Sequence, residues 1–219
     1  MFISAVIRIV LLPVVLGVLL FIPAGTFQYW EAWVYMSILF VPVLIFVIYL
    51  FSKDPEFIER RMRMKEKQDV QNKVVIFISL FVVAVFVTCG LDKRFGWSRL
   101  PLLVIIISDI VTLFTYLFVI KVLLENRYAS RTVEVEEDHK LITTGPYKII
   151  RHPMYLAVLL MFVSTPFALG SYWASIGNVF IIFPLVVRIV NEEKLLIERL
   201  EGYEKYIEEV KYRLIPGIW

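Results

Sequence analysis

The fold class this sequence predicts is an all-α integral membrane protein of about six transmembrane helices, the last two forming a helical hairpin. Three observations predict it. Of 219 residues, 59% are hydrophobic, against about half in ordinary soluble domains. The excess is gathered in runs of about 17–25 residues, the length that crosses a hydrocarbon core. Lysine and arginine collect on alternate connectors, the signature of a multi-pass chain with one cytosolic side. The connectors are short, so residues 1–219 read as one membrane domain. Within it, 1–124 hold four helices and the basic loop 52–73, and 125–219 hold the hairpin and a C-terminal helix.

The apolar segments are 3–23, 29–51, 74–91, 100–124, 153–169 and 173–190, bounded by PAGTF, SKDPE and LDKRFGWS after the first three. The first carries no basic start beyond Arg8 and no small-residue cleavage pattern, so it is expected to be retained rather than removed as a signal. In DPEFIERRMRMKEKQD, Asp54 is placed to cap a helix with Pro55 at its first position. That basic stretch suits an anionic lipid surface and equally a solvated connector. Cys89, the only cysteine, lies inside an apolar run and reads as packing. The fourth segment carries Asp109, costly inside a bilayer and therefore either functional or bonded to a neighbour such as Ser108 or Thr112; the structural role is favoured. Only Gly170 and Ser171 join the fifth segment to the sixth. The tail should continue the sixth helix, weakened at Gly202 and ended by Pro216-Gly217.

Orientation follows from charge. Loop 52–73 holds seven Lys and Arg, 125–152 five and 188–219 six, against none in 24–28, three in 92–99 and none in 170–172. Both termini, the basic connectors and the tail are thus expected in the cytosol, with Trp30, Trp33, Trp97 and Trp173 in an aromatic belt at the opposite face. No Gly-rich phosphate loop, CxxC, HExxH, GxSxG or βαβ pattern occurs, and no metal or nucleic-acid partner is expected.

Three polar pieces share the cytosolic side: HKLITTGPY (139–147), RHPMY (151–155) and RIVNEE (188–193). The tight turn between the fifth and sixth segments makes RHPMY and RIVNEE spatial neighbours. Pro153 suits a first helical turn, whose free N–H groups favour anions. Arg188 and Glu192, four apart, project from one helix face and offer a cation fork beside a carboxylate. Singly, each has an ordinary role: His152 as a cap, Arg188 snorkelling to headgroups, Glu192 and Glu193 on a solvated face. Their convergence at one depth carries the functional reading.

At these residues the chain resembles a known family. HKLITTGPYKIIRHPMY, RIVNEE and GYEKYIEEVKYRLIPGIW are similar to the C-terminal signature of isoprenylcysteine carboxyl methyltransferases and their prokaryotic relatives, over about residues 125–219. The resemblance implies S-adenosyl-L-methionine as cofactor, held in a cytosolic pocket built by the 125–152 connector and the C-terminal helix, and a lipophilic or prenylated substrate entering from the bilayer. It maps cofactor contacts onto His139, Lys140, Leu141, Ile142, Tyr147, His152, Pro153, Met154, Tyr155 and Glu192, and the substrate-side arginine onto Arg188, making Arg188 and Glu192 the catalytic pair. Two positions depart from the pattern. A family glutamine falls near Thr132, and Leu156-Ala157 stand where glycine is frequent.

The implied chemistry suits these residue types. A carboxylate acceptor is already ionised at pH 7, so transfer from a sulfonium needs alignment rather than a base. Arg188 would hold the acceptor carboxylate, the Tyr147 and Tyr155 faces the sulfonium, and Glu192 the amino end of the methionine portion. Phospholipid N-methyltransferases share the GxY, RHPxY and EE elements, and sterol reductases share part of the ending, so both remain alternatives. A transporter or membrane scaffold is the non-enzyme reading, although Asp109 stands nearly alone as an intramembrane charge and no internal repeat is present.

Overall fold

A computed structural model describes residues 2–54, 57, 69–126 and 141–219. All described regular structure is helical: α1 Phe2–Ala24, α2 Trp30–Lys53, α3 Asp69–Phe95, α4 Leu102–Glu125, α5 Pro153–Ala168, α6 Trp173–Ile176, α7 Ile182–Arg199 and α8 Tyr203–Glu209. Short 3-10 turns cover Gly145–Lys148 and Gly177–Ile181. Among the described residues three helices are long and apolar enough to cross a membrane, Trp30–Lys53, Val74–Phe95 and Leu102–Glu125. Val10–Ala24 and Pro153–Ala168 are shorter apolar helices. The outward faces stay apolar, as with Ile45, Leu80 and Phe114, each more than half exposed, which in an all-helical chain fits lipid as solvent.

The first four apolar runs become helices with bounds close to those expected, because each is a long hydrophobic stretch whose backbone must satisfy itself. α1 packs along α3 and α4 along α5. Gly90 permits the first contact: a Cβ there would lie 2.6 Å from the Leu20 carbonyl oxygen. Cys89 is wholly buried in the core formed by α1–α3 with Ala168 and Leu169, as the packing reading expects.

The sixth apolar segment differs from the expected continuous span. It breaks into α6, a 3-10 turn and α7. Pro184 is the physical reason. A helix running unbroken through 173–190 would need its missing N–H and would clash with the preceding turn, whereas α7 starts at Ile182 and holds Pro184 in its first turn, where no N–H is required. The tail also departs from a continuous helix ending at Pro216-Gly217. α7 stops at Arg199, Gly202 takes φ +82° and α8 ends at Glu209. A left-handed glycine redirects the chain, which weakening alone would not do.

The turn end of the hairpin is tied by polar bonds. Asp92, buried at the end of α3, accepts from Ser98 N (2.7 Å), Ser98 Oγ (2.6 Å) and Ser171 Oγ. Lys93 Nζ donates to Glu31 Oε2 (2.9 Å). Trp30, Trp33, Trp97 and Trp173 are all exposed and flank these groups. Asp109 is buried, but Ser108 and Thr112 do not serve it. The Ser108 hydroxyl donates to Val104 O (2.8 Å) and that of Thr112 to Ser108 O (2.8 Å), while Asp109 Oδ1 meets no hydrogen-bond partner among the described residues. Asp54 Oδ1 does accept the Phe57 N–H (3.2 Å), the bond of the expected cap. The basic stretch beyond it lies outside the described residues.

Candidate active site

Pro146 and Pro153 direct the chain from the end of α4 into α5. Pro146 opens a 3-10 turn that buries Tyr147, and Pro153 opens α5 with His152 immediately before it. The tail segment 210–213 lies alongside, with Arg151 N donating to Tyr212 O and His152 N to Arg213 O, both at 2.9 Å. RHPMY, the end of α7 and the tail therefore meet at one place.

Glu193 stands at its centre, buried to 3% exposure. Arg151 Nε donates to Oε1 at 2.6 Å, His152 Nε2 lies 3.2 Å from the same oxygen, and Arg213 Nε donates to Oε2 at 2.7 Å. Burial works against the charge, but the bonds from His152, Arg151 and Arg213 outweigh it and hold the carboxyl at about 2. Arg151 is engaged further through Nη1, which donates to Val210 O (2.7 Å) and Lys211 O (2.9 Å). The Arg213 guanidinium lies 5.3 Å from the Trp219 ring centre, a cation–π contact that folds the last residue back on the site.

Glu192, one residue earlier, turns another way. It is half-buried and accepts the Tyr155 hydroxyl proton, and that hydroxyl accepts from Arg188 Nε at 2.9 Å. Arg188 is buried. Arg188 and Glu192 thus share a helix face and are bridged by the tyrosine of RHPMY. The His152 and Tyr155 rings lie 5.6 Å apart.

On the other flank, Tyr147, Leu200, Tyr203, Tyr206 and Val210 form an apolar cluster with Val122 of α4, and Leu141, Ile142 and Met154 pack on it. Tyr206 Oη donates to the Tyr147 carbonyl (2.7 Å). Burial pushes the Tyr147 hydroxyl up to about 12, so it stays protonated at neutral pH. The buried Tyr203 hydroxyl meets no hydrogen-bond partner among the described residues.

Of the residues expected at the site, Leu141, Ile142, Tyr147, His152, Pro153, Met154, Tyr155, Arg188 and Glu192 gather here. His139 and Lys140 lie outside the described residues, as does Thr132. Arg151 and Arg213 carry no site role in the sequence reading, and Glu193, whose ordinary role taken singly is a solvated face, is the buried centre of the ionic cluster. Its signal was present as an Arg-His pair, a second glutamate and a tail arginine, but only the tail's return path joins them.

The donor set fits a methyl donor of the S-adenosylmethionine kind. The residue types are those such a group needs: aromatic and aliphatic side chains for a nucleoside, the half-buried Glu192 carboxylate for an amino group, and a Tyr203 hydroxyl without a partner among the described residues.

Comparison with known proteins bears on the same segment. Over 80 residues, 36% of this chain, it is 28% identical to proteins named "Probable protein-S-isoprenylcysteine O-methyltransferase" from Oryza sativa subsp. indica and subsp. japonica. The matched stretch spans 42% of the length of each rice protein. Residues 102–198, from α4 through the hairpin to the end of α7, match the model of the Isoprenylcysteine carboxyl methyltransferase (ICMT) family, and that stretch carries both RHPMY and RIVNEE.

Proposed function

We propose that this chain is a membrane-embedded S-adenosylmethionine-dependent methyltransferase that esterifies the carboxylate of a prenylcysteine-like lipophilic acceptor. The observation that carries the proposal is the bridge Arg188–Tyr155–Glu192, which puts a buried guanidinium and a carboxylate together where α5 and α7 enter the apolar layer. Bound S-adenosylmethionine supplies an electrophilic methyl group. Everything else is positioning by this chain. Leu141, Ile142, Tyr147 and Met154 would shelter the nucleoside, and Glu192 would take the amino group. His139 and Lys140 belong to the same proposed contact set.

Arg188 would orient the acceptor carboxylate through charge-assisted bonds. Tyr155, bonded to both Arg188 and Glu192, would fix the distance between the two subsites. Glu193 and its three partners would hold the start of α5 and the tail closed against water. No general base is needed for a carboxylate acceptor. A lipid amine would need one, and the Nε2 of His152, the natural choice by sequence, is already directed at Glu193. The buried Arg188 guanidinium, which pairs with a carboxylate and repels an ammonium, favours O- over N-methylation. The proposed side of the site, and of both chain ends, is cytosolic, a reading supported by the lysines and arginines of the basic connectors and tail.

The test is transfer of radiolabelled methyl from S-adenosylmethionine to a farnesylcysteine analogue or to an aminophospholipid. Label should appear in the thioether acid. Arg188→Ala should lower that turnover about 100-fold or more while S-adenosylhomocysteine still binds. Label confined to phospholipid, or undiminished turnover in the variant, would reverse the proposal.

A further inference from the structure

Tyr203 opens α8 directly after the left-handed Gly202, and its side chain is buried, with the residue 3% exposed. It packs with Tyr147, Leu200, Tyr206 and Val210, its ring centre 5.6 Å from that of Tyr206. The two tyrosines are alike in burial and opposite in hydrogen bonding. The Tyr206 hydroxyl donates to the Tyr147 carbonyl at 2.7 Å. The Tyr203 hydroxyl meets no partner among the described residues. A buried donor left in that state has given up its hydration and gained nothing in exchange, which destabilises the fold.

The surroundings of this hydroxyl define the partner it lacks. Burial first, then the Glu193 and Glu192 charges, raise its pKa, so it keeps its proton and remains a donor. Those two carboxylates and the Arg151 guanidinium are the charges it feels, but none of them bonds it. Glu193 is held by Arg151, His152 and Arg213, and Glu192 by Tyr155. Neighbouring carbonyls are engaged as well, Val210 O by Arg151 and Tyr147 O by Tyr206. Arg151, Arg188 and Arg213 outnumber the two glutamates, and that surplus favours an anionic acceptor over a neutral one.

We propose that Tyr203 binds the α-carboxylate of the methyl donor's amino-acid end, beside the ammonium assigned to Glu192. The proposal rests on the methyltransferase reading for the identity of the ligand. An α-amino acid carries both charges on one carbon, so a site that takes the ammonium at Glu192 needs a donor for the carboxylate next to it. Tyr203 is a donor at that place with its hydrogen bond unmade. A bond from its hydroxyl to a carboxylate is charge-assisted, and forming it on binding removes the orphaned group.

The experiment measures equilibrium binding of S-adenosylhomocysteine to the full chain in nanodiscs, beside the analogue in which hydrogen replaces the carboxylate, and follows thermal unfolding of the ligand-free protein. The unmodified chain should bind S-adenosylhomocysteine more tightly than the analogue. Tyr203→Phe should weaken S-adenosylhomocysteine binding about ten- to a hundredfold, the worth of a hydrogen bond to a charged group, and leave the analogue's affinity unchanged. The same substitution should keep or raise the ligand-free unfolding temperature, because it removes a hydroxyl that bonds to nothing. Tyr206→Phe should do the reverse, lowering that temperature through loss of the bond to the Tyr147 carbonyl, with the preference between the two ligands intact. An unmodified chain that binds both ligands equally, or a Tyr203→Phe chain that loses both equally, would overturn the assignment and leave the methyltransferase reading in place. So would a fall in the ligand-free unfolding temperature of Tyr203→Phe with its preference retained, since the hydroxyl would then serve the fold alone. Binding of neither ligand by the unmodified chain would overturn the methyltransferase reading itself, and the assignment with it.

Discussion

Asp92 and Glu193 sit at opposite ends of the α5–α7 hairpin, 2% and 3% exposed, and they solve the same burial problem differently. Asp92 is satisfied by neutral donors, two from Ser98 six residues away and one from the turn serine Ser171. Glu193 is satisfied by Arg151, His152 and Arg213, drawn from the connector before α5 and from the tail. Neutral donors suffice where one turn must be stapled. An ionic centre is found where three separate segments must be held in one arrangement, and where a positive surplus beside the site favours anionic ligands. Adjacent Glu192 shows the contrast at its sharpest: half-buried, bonded to Tyr155, and not engaged by the two arginines that hold Glu193.

Removing the Glu193 carboxylate should cause the largest loss. Glu193→Ala leaves Arg151 and Arg213 buried or half-buried without their anion, and about 3–5 kcal/mol of stability should disappear in denaturation of the purified protein. A loss under 1 kcal/mol would mean that the centre is solvated. Acid should act on the same end. Because the Glu193 carboxyl is held at about 2 against an ordinary 4.5, its contribution is complete above about 4.5 and is lost as pH falls through about 2. Tryptophan fluorescence of Trp219 should report loosening in that window, and Glu193→Gln should abolish the dependence.

Ser171→Ala should cost less, about 1–2 kcal/mol, since Asp92 keeps both Ser98 donors. Methyl transfer should survive it, and a variant that folds but does not turn over would show that the turn end communicates with the site. Lys205→Met should cost least, about 0–1 kcal/mol, because Lys205 and its partner Glu209 are 80% and 61% exposed and the pair is screened by solvent. A larger loss would place that pair deeper in a low-dielectric layer than its exposure implies.

Much of this was legible in residues. The runs 29–51 and 100–124 became Trp30–Lys53 and Leu102–Glu125, because a long apolar stretch has few other backbone solutions in lipid. The two-residue link at Gly170-Ser171 was enough to bring RHPMY beside RIVNEE. Asp109 shows where local reading stops, since nearby hydroxyls in sequence bonded to backbone and to Ser164 instead. Pro184 and Gly202 were visible as interruptions, but whether each weakens, breaks or redirects a helix depends on what packs around it.

The sequence by itself determined the apolar segments, the polar pieces between them and the pairing of Arg188 with Glu192 on one face, since all of these follow from composition and a fixed helical period. Only the tertiary structure decided that Glu193 is buried, that Tyr155 bridges Arg188 to Glu192, and that Arg213 returns from the tail to close the centre. Those contacts join residues 20 to 42 apart. Their formation depends on the break before α7 and the reversal at Gly202, neither of which any local pattern of charges can specify.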